Sequence, residues 1–166
     1  MPRVIVHRFV LLATVALPLV GATAADRVHA EPAARFVGAW RLLSFQSFAA
    51  NGAARPGAYD AGIIIYDASG RMTAQLMHSS NKADQPLTSD TDRAAAYRRY
   101  LGYWGPFTVD ESTRVVVHHV EGSSNPNWVG SKQARHYSFA ADGQRLTLSV
   151  KNGDRVTSTL LWERIR

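Results

Sequence analysis

Residues 63–77 read Ile63-Ile64-Ile65-Tyr66-Asp67-Ala68-Ser69-Gly70-Arg71-Met72-Thr73-Ala74-Gln75-Leu76-Met77. Two runs of β-branched, aromatic and aliphatic residues flank an Asp-Ala-Ser-Gly break. The runs suit a pleated, half-buried surface. The break carries turn chemistry, because Gly reaches φ > 0 without steric cost and Asp bonds its own backbone. This unit is a β-hairpin, and the chain on either side repeats it.

Upstream, Trp40 to Phe48 alternates in the same way. Downstream come Phe107 to Val109, Arg114 to Glu121, Ala134 to Phe139, Arg145 to Val150 and Val156 to Arg164. Asp110-Glu111-Ser112-Thr113, Ala141-Asp142-Gly143 and Asn152-Gly153 supply the tight connections. A series of about eight strands joined by short hairpins forms a meander, and closing it on itself removes the exposed edges. Short sequential turns favour neighbour-to-neighbour pairing over the Greek-key crossings of a sandwich. The fold class expected is all-β: an eight-stranded up-and-down antiparallel barrel with one inserted helix. For the helix, Ser89 and Asp92 have capping-box spacing. Tyr97, Tyr100, Leu101 and Trp104 then recur at helical intervals, with Gly102 as a stop signal. A helix of this kind is expected to plug one barrel end or to cover its mouth, its aromatic stripe packing inward.

The first 24 residues have a leader's pattern. Arg3, His7 and Arg8 precede an apolar run from Phe9 to Val20, which ends in the small residues Gly21-Ala22-Thr23-Ala24-Ala25. That order of basic, apolar and small-residue segments marks a secretory signal. Cleavage is expected after Ala24, with Ala25 or the Val28-His29-Ala30 stretch as alternatives. The run is shorter than the roughly 20 residues a spanning helix needs, so no stable membrane anchor is expected after cleavage. Residues 25–35 read as a linker and 36–166 as one domain, with a periplasmic or secreted destination.

Composition excludes several classes. The chain has no cysteine, which removes disulfides, thiol chemistry, Cys-based metal sites and a lipidated N-terminal Cys. The core alone must hold the domain together. Without the leader the charge is modest, 17 basic against 13 acidic residues, and the signs are interleaved. Nucleic-acid binding would need a concentrated basic stripe and a matching motif. Neither is visible, so no nucleic-acid partner is expected.

Gly38-Ala39-Trp40 opens the first strand, and Arg164 lies in the last. The pattern is similar to the lipocalin G-x-W signature, with the arginine that calycin barrels stack over that tryptophan. Longer segments carry the likeness further: Ile65-Tyr66-Asp67 with Gly70-Arg71-Met72 and Gln75-Leu76-Met77; Val117-His118-His119-Val120-Glu121; Asn125-Pro126-Asn127-Trp128-Val129-Gly130 with Gln133-Ala134-Arg135; Arg145 to Leu148; and Leu161 to Arg164. From Phe36 to Arg166 the chain resembles the bacterial and fungal lipocalin-like domain family. That resemblance implies a barrel with Gly38, Trp40 and Arg164 as structural signature. It implies no catalytic set.

An eight-stranded barrel is just wide enough to be filled by side chains or to hold one small ligand. Alternation offers Leu42, Ser44 and Gln46 as lining from the first strand, then Ile65, then Met72, Ala74 and Leu76. Val116, His118 and Tyr137 follow from later strands. Adjacent strand residues face opposite ways, so only one of His118 and His119 points inward. Their adjacency keeps both from holding one ion with Glu121, and no metal site is expected. No cofactor is implied. Ser123 and Ser124 read as loop polars, because the chain lacks a Gly-x-Ser-x-Gly elbow. The acids fall mostly in turns, which argues against a paired-carboxylate glycosidase. Trp128, a large apolar group in a loop, is expected either to close the barrel end or to line its entrance. The candidate ligand-binding residues are Gln46, Tyr66, Gln75, His118, Trp128, Arg135 and Tyr137. The expected function is binding of a small hydrophobic or amphipathic molecule. The alternatives are an enzyme (cyclase, isomerase or hydrolase) working inside the barrel through His118, and a structural or partner-binding protein of the envelope.

Overall fold

The computed structural model describes residues 33–81 and 86–166. The leader and most of the linker therefore lie outside the described residues. The chain enters through a turn in which the amides of Phe36 and Val37 donate to the carbonyls of Ala33 and Ala34. Ten strands follow: β1 (Gly38–Phe48), β2 (Ala54–Pro56), β3 (Ala61–Tyr66), β4 (Arg71–Met77), β5 (Tyr100–Asp110), β6 (Val115–His119), β7 (Gly122–Ser123), β8 (Lys132–Phe139), β9 (Arg145–Asn152) and β10 (Arg155–Arg164). Eight of them form the wall in the order β1-β3-β4-β5-β6-β8-β9-β10, and β10 returns to pair with β1. Every pairing is antiparallel. The short β2 extends one end of β1, and β7 adds to β5. The closed meander read from the sequence is the fold.

The hairpin at residues 61–77 pairs Tyr66 with Met72 and Ala61 with Met77. Its turn is held by Asp67, which accepts from the Ser69 amide at 2.7 Å, while Gly70 takes φ +84°. One end of the barrel is filled by aromatic rings. Phe36 packs edge-on against Tyr66, Tyr137 and Phe139, with centroids 5.1, 4.9 and 5.0 Å away. Such pairs contribute roughly 0.5–1.5 kcal/mol each beyond the area they bury. Trp40, fully buried, donates its indole N–H to the Phe36 carbonyl at 2.8 Å. The Arg164 guanidinium lies 4.1 Å above the Trp40 ring and donates to the carbonyls of Val37 at 2.6 Å and Arg35 at 2.8 Å. Gly38 makes room for it. At φ +128°, a Cβ there would stand 2.7 Å from the Arg164 guanidinium.

The helix differs from expectation. α1 spans only Asp90–Arg98, with Ser89 as its cap accepting from the Asp92 amide. Tyr100, Leu101 and Trp104 belong to strand β5 instead, and Gly102 is a buried strand residue. Their spacing also satisfies a period of two, with Leu101, Tyr103, Gly105 and Phe107 facing the core. Pairing with β4 from Met77 opposite Tyr100 to Arg71 opposite Pro106 decides between the two periods. A full row of ladder hydrogen bonds and burial of one face outweigh a weak local helical signal.

Candidate functional site

Opposite the aromatic plug the barrel opens into a cavity of about 520 Å³, within the usual range for small-molecule sites. Its wall is apolar and aromatic: Ile64, Leu76, Leu148 and Leu160 from the strands, with Tyr103 and Trp162 between them. The mouth is framed by Phe45, Tyr59, Tyr97, Arg98 and Tyr100. Thus α1 and the β1–β3 connection form the rim. Polar groups are few: Ser124, Asn125, Gln133, Arg135 and Ser158. Among the described residues, no carboxylate lines the space.

Strand register explains which expected residues arrive there. In β1 the pairing with β10 slips between Leu42 and Ser44. This bulge leaves Ser44 and Gln46 exposed and turns Phe45 toward the cavity, so the expected inward Ser44 and Gln46 are corrected. In β3 the inward residues are Ile64 and Tyr66, and Ile65 is exposed; the expected inward Ile65 was one residue out. In β4, Met72, Ala74 and Leu76 face the core as expected. Gln75 therefore points away, where its amide donates to Thr73 Oγ1 at 3.1 Å and its carbonyl accepts from the Tyr100 hydroxyl. Gln46 and Gln75 are outside the site. Tyr137 packs against Phe36 in the plug.

Trp128 and Arg135 do face the cavity. Trp128 ends a 3-10 turn, Pro126–Trp128, which Asn125 caps by accepting from the Asn127 amide. Its ring packs edge-on against Tyr103 at 5.4 Å, so it closes part of the wall and lines the space at once. Arg135 stands opposite Val116 in the β6–β8 ladder, diagonal to His118. Its guanidinium donates to the Ala134 carbonyl at 2.9 Å and to Gln133 Oε1 at 3.4 Å, and forms no ion pair among the described residues.

His118 points inward and is 1% exposed, while His119 faces out and pairs with Thr108 Oγ1 at 3.0 Å. The His118 ring is held between two phenols. Its Nε2 lies 2.9 Å from the Tyr66 hydroxyl and its Nδ1 3.0 Å from the Tyr103 hydroxyl. Burial, followed by the nearby Arg135 and His119 charges, pushes His118 down to about 3. Burial likewise raises the phenols of Tyr66 and Tyr103 above their usual range. At neutral pH all three are uncharged. Neither His118 nor Tyr66 lines the cavity, and the hydrogen bond to Tyr103 links them to it. Among the described residues there is no group of three or more His, Asp or Glu suited to a metal ion.

Sequence reasoning missed Tyr103 and Trp162 as site residues. The helical reading of residues 97–104 concealed the first. Trp162 was legible by alternation, two residues before the inward Arg164. Its indole N–H is buried and has no acceptor among the described residues.

The described residues form a closed eight-stranded meander, plugged by Trp40 under Arg164 and open to a cavity at the other end. The chain belongs to the lipocalin-like domain family, which it matches over residues 37–165. It is 37% identical over 107 residues to the 4'-hydroxy-3'-methoxypropiophenone carrier protein ppsC of Aspergillus oryzae, covering 57% of this chain and 96% of that one. Among solved structures, a lipocalin-like protein from Bacteroides uniformis aligns at TM-score 0.48 and 12% identity, over 79% of this chain and 99% of the other. A redesigned β-barrel aligns at TM-score 0.42 and 11% identity, over 81% and 95% of the two chains.

Proposed function

We propose that this protein is an exported binding protein that holds one small aromatic, amphipathic molecule in its barrel and carries it. The observation that carries the reading is the cavity itself, large enough for a substituted single-ring compound and walled by Tyr103, Trp128 and Trp162. Aromatic walls favour flat ligands, because offset and edge-on ring contacts add to the burial of apolar area. A few polar groups then orient the guest. A relative named as carrier of an aryl ketone supports the same ligand size and chemistry. Export rests on the basic, apolar and small-residue order of residues 1–25.

Native mass spectrometry of the mature chain, purified without detergent and incubated with 4'-hydroxy-3'-methoxypropiophenone, tests the reading. One bound ring compound per chain is expected. A bare mass at millimolar ligand would contradict it.

A further inference from the structure

The cavity wall has an unequal supply of hydrogen-bond donors and acceptors. Tyr66 is fully buried, and its hydroxyl has one hydrogen-bond partner among the described residues, His118 Nε2. A neutral imidazole donates through one nitrogen and accepts through the other. If Nε2 carried the proton, it would donate to Tyr66, and the Tyr66 O–H would have no acceptor in the core. A buried donor left unpaired is costly. The Tyr66 O–H therefore donates to Nε2, which places the His118 proton on Nδ1. That N–H donates to the Tyr103 oxygen, 3.0 Å away. Tyr103 thus receives a hydrogen bond from His118 and has its own O–H left over, in a side chain that faces the cavity.

A further donor stands in the same space: the Arg135 guanidinium has more N–H groups than its two acceptors use. The amide oxygens that could answer them are engaged: Asn125 accepts from the Asn127 amide and Gln133 from Arg135.

We propose that the cavity wall around Tyr103 and Arg135 is a donor site, and that its ligand is an aromatic compound bearing a carbonyl or carboxylate oxygen that accepts from Tyr103 at the end of a Tyr66–His118–Tyr103 relay. This rests on the carrier reading and narrows it. Tyr66 and His118 act as positioning residues, fixing the direction in which the Tyr103 proton points.

Two measurements test it. Long-range proton–nitrogen NMR of the unliganded mature chain is expected to show His118 protonated at Nδ1; protonation at Nε2 would overturn the relay. Titration with 4-hydroxyacetophenone and with 4-ethylphenol, which share the phenol but differ in the carbonyl, reads the donor directly. The ketone is expected to bind the wild type about threefold to tenfold more tightly, the net effect of one neutral hydrogen bond. Tyr103→Phe is expected to abolish that preference, and 4-hydroxybenzoate is expected to lose affinity in Arg135→Gln. Equal binding of the two neutral probes by the wild type, or an undiminished preference in Tyr103→Phe, would refute the donor site and leave the carrier reading intact. Failure of all three probes to bind would remove both.

Discussion

Acidification should weaken this fold through one residue, His118. Its imidazole is sealed in the core between two neutral phenols, and burial lowers its pKa to about 3. In the unfolded chain the same group titrates near 6.5. The folded state thus binds the proton more weakly, and acid favours unfolding. Stability from this group is complete well above pH 6.5 and declines as pH falls from there toward 3. At pH 5 the unfolded chain holds most of its proton and the folded chain almost none. The difference is about 1.5 pH units, or about 2 kcal/mol at 1.36 kcal/mol per unit. Asp60, Asp67 and Glu121 are also held below their usual range, by hydrogen bonds from Ser79, Ser69 and Arg71 respectively. Their contribution is lost only near and below pH 4, so the window from pH 8 to 5 belongs mainly to His118. Urea unfolding at intervals across that window is expected to show a fall of about 2 kcal/mol, and His118→Gln should flatten it. An unchanged slope in that variant, or a flat wild-type profile, would refute the assignment of His118 as a buried neutral group.

Arg164→Ala should cost about 2–4 kcal/mol in urea unfolding, since it removes a cation–π contact and two charge-assisted bonds to Val37 and Arg35. Arg164→Lys should recover only part of that, because an ammonium lacks the planar fork. Gly105→Ala should destabilise by more than about 2 kcal/mol, as its Cβ would fall 1.8 Å from the His119 carbonyl oxygen. Edman sequencing of the exported protein should begin at Ala25, with Asp26 the nearest alternative; an intact Met1 in the periplasmic fraction would contradict export by cleavage.

The fold was legible because it is written in local chemistry that tertiary structure does not override. The hairpin at residues 63–77, its Asp67–Gly70 turn, and the Gly38, Trp40 and Arg164 set each specify their own geometry. The site was less legible, because it depends on register. One bulge after Leu42 reverses the faces of Ser44, Phe45 and Gln46, and nothing in the surrounding sequence marks it. β3 has no bulge, but Ile63, Ile64, Ile65 and Tyr66 are all apolar or aromatic, so alternation does not mark which face Ile65 takes. The segment from Tyr97 to Trp104 satisfies both a helical and a strand period, and only its pairing with β4 resolves it. That ambiguity hid Tyr103, the residue through which the His118 network meets the cavity.

The central claim, that ligand binds inside the barrel, is tested most directly by the indole N–H signals of the four tryptophans. Trp128 and Trp162 line the cavity, Trp40 is locked onto the Phe36 carbonyl in the plug, and Trp104 lies exposed on the outer wall. Titration of the nitrogen-15-labelled mature chain with 4'-hydroxy-3'-methoxypropiophenone should shift the Trp128 and Trp162 signals together, to saturation at one equivalent, with Trp40 and Trp104 unmoved. A shift confined to Trp104, or no shift at saturating ligand, would contradict it.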